Sequence, residues 1–508
     1  MIKNQIKAGA LLSYLQLGLG SIISILYTPI MLRLLGQSEY GLYNLVASVV
    51  GYLGILNFGF GSAYIKYFSG FKVTNDHNSI KKLNGMFVTI FGVIAIISLI
   101  AGSTLTLYTK EILGNELTQQ ESSIAQILML IMTINIAISF IGIIFTTYIT
   151  ANEKFIFLKL VQIIKVITTP LITLPVLISG YGAIGMVVIA TLVNIIIEII
   201  NAVYCIKKLN IRFSFKEFDY TLMKQMSLFS SFIFINLIVN QINWNVDRFI
   251  IGRFHGTIAV ATYSLAAQLN TYYISLSTAV SSVFIPRVNQ MISANVSNKE
   301  ISSLFARVGR VQFFVLSLIF TGLIFFGKSF IYLWAGDDYG SSYIIALLLI
   351  IPVTIPLIQN LGIEVQKAKN MHQFRSWTYL FIAIVNIGIS IPLVKHYQGV
   401  GAAIGTAVSL IIGNVFIMNW HYHKRVGINI VFFTKQIIST IPSLIIPSIF
   451  GIILYNYVNL NNPLIFSISA ISYLILFCVS TWYIALNPYE KSLIEKPINK
   501  ILSKIKKI

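Results

Sequence analysis

Three observations predict an all-α polytopic membrane protein of about fourteen transmembrane helices, built as two six-helix lobes related by parallel duplication plus two C-terminal helices. The first is composition. Over 508 residues, 56% hydrophobic residues, only 10% charged residues and a mean hydropathy of +0.82 lie far outside the range of soluble domains. The second is a succession of apolar runs, each near the roughly 20 helical residues that a bilayer crossing needs. The third is a repeat. A shift of 220 residues places Arg33, Gly36, Tyr43, Leu45 and Ala47 on Arg253, Gly256, Tyr263, Leu265 and Ala267, so a helix, tight turn, helix unit opens each half.

The amino terminus has Lys3 and Lys7 before an apolar run that continues to Leu32 without a cleavage-like end, so it reads as the first span and not as a signal peptide. Runs at about 9–32, 40–63, 84–108, 124–149, 155–178 and 183–206 make up the first lobe, 1–219. Runs at about 226–251, 258–285, 308–335, 342–365, 376–394 and 400–420 make up the second, 220–434. Two more, at about 436–456 and 463–487, form an extra helix pair over 435–488. Gly182-Ala183-Ile184-Gly185 opens the sixth run much as Gly401-Ala402-Ala403-Ile404-Gly405 opens the twelfth, and such small residues permit close helix approach. Each half has an even number of spans, so the halves share one orientation and an axis along the membrane normal. In the tail, 489–508, Ile498, Ile501, Leu502, Ile505 and Ile508 fall on one helical face and Lys500, Lys504 and Lys507 on another, as in a basic amphipathic helix lying on the membrane.

The 36 basic and 16 acidic residues give a net charge of +20. In a soluble chain that would suggest nucleic acid, but here the charge is sorted by side. Connections on one face hold six Lys and Arg at most, namely Arg33, Lys110, Arg248, Arg253, Lys328 and Lys395, and the rest, apart from Lys165 inside a span, lie on the side of the amino terminus. Both termini are therefore expected in the cytoplasm of a multi-pass inner-membrane protein, with the basic loops facing anionic membrane lipid and no nucleic acid involved. Cys205 and Cys478 have neither metal-site nor disulfide-framework spacing. No connection is long enough to fold as a separate domain, so any chemistry lies among the spans.

Several motifs admit ordinary readings. Gly322-Leu323-Ile324-Phe325-Phe326-Gly327-Lys328-Ser329 matches a phosphate-loop pattern but lies within an apolar span, where no strand precedes it. The histidines are scattered, and His421 and His423, two apart, point in different directions on a helix, so no metal site is expected. The seventh span is more informative. Asn236, Asn240, Asn243 and Asp247 form one polar stripe with Arg248 beside it, and the first span carries a counterpart in Ser13, Gln16, Gly20, Ser24 and Tyr27. Such stripes serve either a shared cavity or hydrogen bonding between helices. Lys165 and Glu198 lie roughly 15 Å and 12 Å from the same side of adjacent antiparallel spans, as a structural ion pair or as a substrate or proton site. Glu364 is a further intramembrane carboxylate.

The run Arg33-Leu34-Leu35-Gly36-Gln37-Ser38-Glu39-Tyr40-Gly41-Leu42-Tyr43, with Asn245-Val246-Asp247-Arg248-Phe249-Ile250-Ile251-Gly252 and the Gly-Ala starts of the sixth and twelfth spans, resembles bacterial polysaccharide-repeat-unit flippases. These are Wzx-type, O-antigen members of the multidrug, oligosaccharidyl-lipid and polysaccharide exporter superfamily. The extra helix pair resembles relatives such as the lipid II flippases. The resemblance implies a transporter, not an enzyme, that carries undecaprenyl-pyrophosphate-linked oligosaccharide from the inner to the outer leaflet by alternating access. It also implies polysaccharide polymerases or glycosyltransferases as partner proteins. A pyrophosphate needs cations to cross hydrocarbon, which Arg33, Arg248, Arg253 and Lys165 supply, while Asn236, Asn240, Asn243 and Gln16 suit sugar hydroxyls. Asp247, Glu198 and Glu364 are candidates for coupling to H⁺ or Na⁺, and no cofactor is expected. The alternatives are a cation-coupled drug antiporter of the same superfamily and a membrane-embedded glycosyltransferase or polymerase, for which Asp337-Asp338 is the one adjacent carboxylate pair.

Overall fold

The structure is a computed structural model and describes residues 2–216, 218–369, 371–492 and 495. Among the described residues there are helices and turns but no strand. A bilayer offers backbone groups no water, so each must be satisfied within its own helix. In chain order the helices are α1 (Ile2–Val50), α2 (Phe60–Val73), α3 (His77–Leu107), the short α4 (Thr109–Leu113), α5 (Gln119–Ala151), α6 (Phe155–Ile178), α7 (Gly182–Lys207) and α8 (Tyr220–Ser282). Then come α9 (Ile285–Ser293), α10 (Asn298–Ala335), α11 (Ser342–Ile358), α12 (Leu361–Ala368), α13 (His372–Leu410), α14 (Asn419–His421), α15 (Ile430–Ile438), α16 (Ile445–Tyr457) and α17 (Pro463–Ile484).

Ten of the described helical stretches are long and apolar enough to cross a membrane, or eleven with α11 and α12, which meet at a 44° bend. Pro352 and Pro356 inside α11 remove backbone donors just before that bend. Three stretches are far too long for one crossing. Ala8–Val73 has 66 residues, about 99 Å if straight, against a hydrocarbon core of about 30 Å. Each of the three is broken. Gly36 (φ 73°, ψ 170°) divides α1, Gly256 (φ 72°, ψ −167°) divides α8, and Gln398 (φ 52°, ψ −134°) divides α13. The two glycines paired by the 220-residue shift thus share one backbone conformation, in a region that a Cβ disfavours. Each break divides its helix into two apolar arms.

The chain packs as two compact units, one running to Ser264 and including Ser390–Ala402, the other comprising Leu265–Ile389 and the chain from Ala403. This division differs from the lobe boundary at 219/220 because packing and duplication are different properties. The first arm of α8 and the start of its second arm, just past Gly256, lie against the second arm of α1 and so belong to the first unit. At Gly41 an added Cβ would sit 1.9 Å from the Thr257 carbonyl oxygen, and at Gly252 one would sit 2.3 Å from Leu45. Gly41→Val should therefore force the arms apart, at a cost of about 1–3 kcal/mol seen as a lower unfolding midpoint in detergent. An unchanged midpoint would show that the contact is loose.

In the first unit, Tyr64, Phe68, Phe87, Phe91, Phe140 and Tyr148 form an aromatic core among α2, α3 and α5. Asp76 caps α3, with Oδ1 accepting from the Ser79 amide at 2.9 Å and Oδ2 from the Ser79 hydroxyl at 2.6 Å. Those bonds hold its carboxyl below the usual carboxylate range. Because the folded pKa is depressed, the contribution is present at neutral pH and disappears as pH falls through that value. Asp76→Ala should therefore narrow the stability difference between neutral and acidic pH in unfolding titrations, while leaving the acid limit unchanged.

In the second unit, Phe305 packs α10 against Phe433 of α15 and against Tyr422, which follows α14, and Phe325, Phe326, Tyr473 and Phe477 pack α10 against the extra helix pair. A buried ion pair fastens the end of the chain. Arg310 of α10, 6% exposed, donates from Nε to Glu490 Oε1 at 2.6 Å and from Nη2 to Oε2 at 2.9 Å; Glu490 is 2% exposed. The guanidinium also reaches the carbonyls of Gln436 (3.0 Å) and Ala485 (2.7 Å) and the Ser439 hydroxyl (3.1 Å). The amphipathic helix expected toward residue 508 lies outside the described residues.

Candidate functional site

The second arm of α1 carries Tyr43 and ends at Val50, just before Gly51, and Lys165 and Arg248 approach this stretch from two sides. A cavity of about 250 Å³ is lined by Tyr43, Gly51, Met132, Asn135, Met186 and Ala190. From one side it is reached by a chain of amides. Lys165 Nζ on α6 donates to Asn194 Oδ1 on α7 at 2.6 Å, and Asn194 Nδ2 donates to Asn135 Oδ1 at 2.8 Å and to Ser139 Oγ at 2.9 Å on α5. The structure therefore replaces the direct Lys165–Glu198 pair with a Lys165–Asn194 bond. Asn194 and Glu198 are one helical turn apart, so the amide intercepts the ammonium. Glu198 instead accepts from Asn201 at 3.3 Å and packs on Gly142 of α5, where a Cβ would meet its carboxyl carbon at 2.2 Å. Nearly two turns toward the start of α6, Lys159 bonds Gln16 (3.3 Å) and Gln162 (3.1 Å), so the first-span stripe meets α6 through Gln16.

From the other side comes the first arm of α8. Gln241 and Asn245 approach Gly51, where an added Cβ would lie 2.8 Å from the Gln241 amide nitrogen. Asp247, 2% exposed, accepts from the Tyr263 hydroxyl at 2.7 Å, a bond across the Gly256 break. Arg248 is held weakly, with Nη1 at 3.4 Å from the Trp244 carbonyl and 3.3 Å from Asn245 Oδ1. Its Nε is buried and has no acceptor among the described residues. Its charge lies close enough to act on Tyr43. In the rest of the stripe, Asn236 and Asn243 are half-buried, while Asn240 and Trp244 are exposed.

The hinge residues have local tasks. Arg253 Nη1 donates to the Glu111 and Ile112 carbonyls, both at 2.8 Å, closing the last turn of α4, whose end carbonyls lack helical donors. Arg33, its counterpart in the repeat, is exposed. Three residues outside the predicted set connect both hinges to α5. Ser38 Oγ donates to Glu121 Oε1 at 2.6 Å, and Thr257 Oγ1 donates to the same oxygen at 2.8 Å. Glu121 also forms a capping box with Thr118. That box is visible in sequence as Thr-x-x-Glu, whereas the second use of its carboxylate is not. Glu39 of the hinge accepts from the Ala183 amide at 2.9 Å, so its negative charge sits at the positive end of α7. Glu364 is paired along its own helix with Lys367 at 2.9 Å. Among the described residues no group of three or more His, Cys, Asp or Glu is placed to hold a metal. His421 stacks on Phe374, ring centroids 4.1 Å apart.

An all-helical fold of apolar spans, opened by two matched glycine breaks and holding cations and carboxylates inside its spans, defines a multi-pass membrane protein. Its fold is shared with a lipid II flippase, MurJ in an inward closed conformation, at a TM-score of 0.75 and 16% identity over 96% of this chain and 99% of that one. It is also shared with an inward-facing multidrug resistance MATE family transporter of the MOP superfamily, at a TM-score of 0.64 and 11% identity over 80% and 97%. Residues 6–292 match the family of polysaccharide biosynthesis proteins, more than half of the sequence, and the chain belongs to that family. It is 22% identical over 407 residues to a Shigella flexneri protein named "Putative O-antigen transporter", which spans 78% of this chain and 92% of that protein.

Proposed function

We propose that this chain is a flippase that moves an oligosaccharide linked to undecaprenyl pyrophosphate from the inner to the outer leaflet of the bacterial inner membrane, by alternating access, with both termini in the cytoplasm. The family, the O-antigen transporter relative and the flippase fold support a polysaccharide transporter. The observation that most favours an anionic lipid-linked substrate is Arg248. A guanidinium with a buried, unaccepted Nε and two long contacts, in the spanning part of α8, is poised to take a stronger acceptor. Lys165 supplies a second cation through the Asn194 relay, and Gln241 and Asn245 supply amides for sugar hydroxyls.

Asp247 and Glu198 are the coupling carboxylates in this reading; Glu364, engaged with Lys367, is set aside. Arg253 contacts substrate only once its bonds to α4 open, so it belongs to the outward half of the cycle. Polysaccharide polymerases or glycosyltransferases would supply or consume the substrate on either side. The test is cellular. Deleting the gene should leave lipid-linked repeat units confined to the inner leaflet with no surface polysaccharide, and re-expression should restore both. Normal outer-leaflet display in the deletion strain would rule the assignment out.

A further inference from the structure

A second cavity lies in the first unit away from the polar site, between α3, the turn that joins α1 to α2, and the first arm of α8. It measures about 520 Å³ and is lined by Phe58, Phe60, Ile94, Met223 and Phe234, with the Phe58 and Phe234 rings stacked 4.7 Å apart. That volume falls within the roughly 300–1,000 Å³ of small-ligand sites. Val93, 50% exposed, marks its open edge. Inside a bilayer an apolar space of this kind takes hydrocarbon.

Two features favour an occupant with more than a hydrocarbon chain. Ser230 lines the cavity and is 2% exposed, yet its hydroxyl has no hydrogen-bond partner among the described residues. A buried hydroxyl left that way is costly unless a ligand oxygen meets it. Lysines also flank the lining along the chain. The Lys66 ammonium lies 4.4 Å above the ring of Phe229, the residue before Ser230. Lys224 follows the lining residue Met223, and Lys216 lies two residues before the lining residue Phe218. The segment that carries Lys216 is tied to the start of α3, with the Ser214 amide donating to the Lys81 carbonyl at 2.9 Å and Asn84 donating to the Arg212 carbonyl at 2.8 Å.

We infer that this cavity holds one acyl chain of an anionic phospholipid, with an ester oxygen accepting from Ser230 and the phosphate facing Lys66, Lys216 and Lys224. The lining offers hydroxyls but none of the amides that mark the polar site, so it suits a bulk lipid of the basic membrane face better than a sugar-bearing carrier. The inference does not depend on the transport reading.

The experiment uses the full chain in nanodiscs containing phosphatidylglycerol or phosphatidylcholine, each with a photoactivatable group on one acyl chain, and maps the cross-linked peptides. Phosphatidylglycerol should label the peptides containing Ile94 and Met223 in preference to phosphatidylcholine. Each of Lys66→Gln, Lys216→Gln and Lys224→Gln should lower that preference about fivefold. Ser230→Trp should fill the cavity and remove labelling there alone; if it folds poorly, Ile94→Trp serves the same purpose. Equal labelling by both lipids, labelling that survives in a well-folded filled variant, or displacement by substoichiometric polyprenyl phosphate would each overturn the proposal.

Discussion

Arg310→Met should unfold the detergent-solubilised protein more readily than any other single substitution considered, by about 3–5 kcal/mol in a denaturant titration. The change leaves Glu490, 2% exposed, as a buried carboxylate whose paired guanidinium is gone. It also strips donors from the Gln436 and Ala485 carbonyls. The companion variant separates the pair from its burial. Replacing both Arg310 and Glu490 by methionine removes both charges from the interior, so most of the loss should be recovered. A single variant as stable as the parent would show that the pair opens to solvent at little cost.

Arg248→Ala should have the largest effect on transport. One charge-assisted contact to a phosphate in a site with little water is worth roughly 1.5–3 kcal/mol, or about ten- to a hundredfold in affinity for a pyrophosphate-linked substrate. Arg248→Lys should recover part of it, since an ammonium keeps the charge but loses the planar fork. Asp247→Asn should behave differently. It keeps a hydrogen-bonding group beside Tyr263 while removing the charge, so it should chiefly abolish dependence on the driving ion. Binding of a lipid-linked oligosaccharide to purified variants, measured across a range of H⁺ and Na⁺ concentrations, distinguishes the two roles. Equal losses in both variants would make Asp247 and Arg248 a single structural unit.

Much of the fold was legible because hydrophobic run length and glycine placement are local properties. The run at 155–178 is α6, and Gly36 and Gly256 break their helices at the positions that the repeat had paired. The tenth run, 342–365, proved to be the bent α11 and α12, as two prolines inside an apolar run permit. The site was legible only in its residue types. Lys165 and Glu198 stand out as intramembrane charges, but which of Asn194 and Glu198 the ammonium meets depends on helix rotation and rotamer, which periodicity does not specify. Glu121 reads as an ordinary cap because its bonds to Ser38 and Thr257 span 83 and 136 residues. Arg310 and Glu490 are 180 residues apart, and neither has a local pattern that marks it as buried. Arg253 reads as a cavity cation, and its engagement with α4 follows from the fold of a five-residue helix that the apolar runs do not reveal.

The proposed passage of an anionic lipid-linked oligosaccharide through the site that Arg248 and Lys165 define can be measured directly. Proteoliposomes loaded with a fluorescent undecaprenyl-pyrophosphate oligosaccharide, probed with a membrane-impermeant quencher, report how much substrate has changed leaflet. The native protein should expose the inner-leaflet pool to quencher, and Arg248→Ala with Lys165→Met, reconstituted to the same level, should leave that pool protected. Exposure by the double variant at the native rate would contradict it.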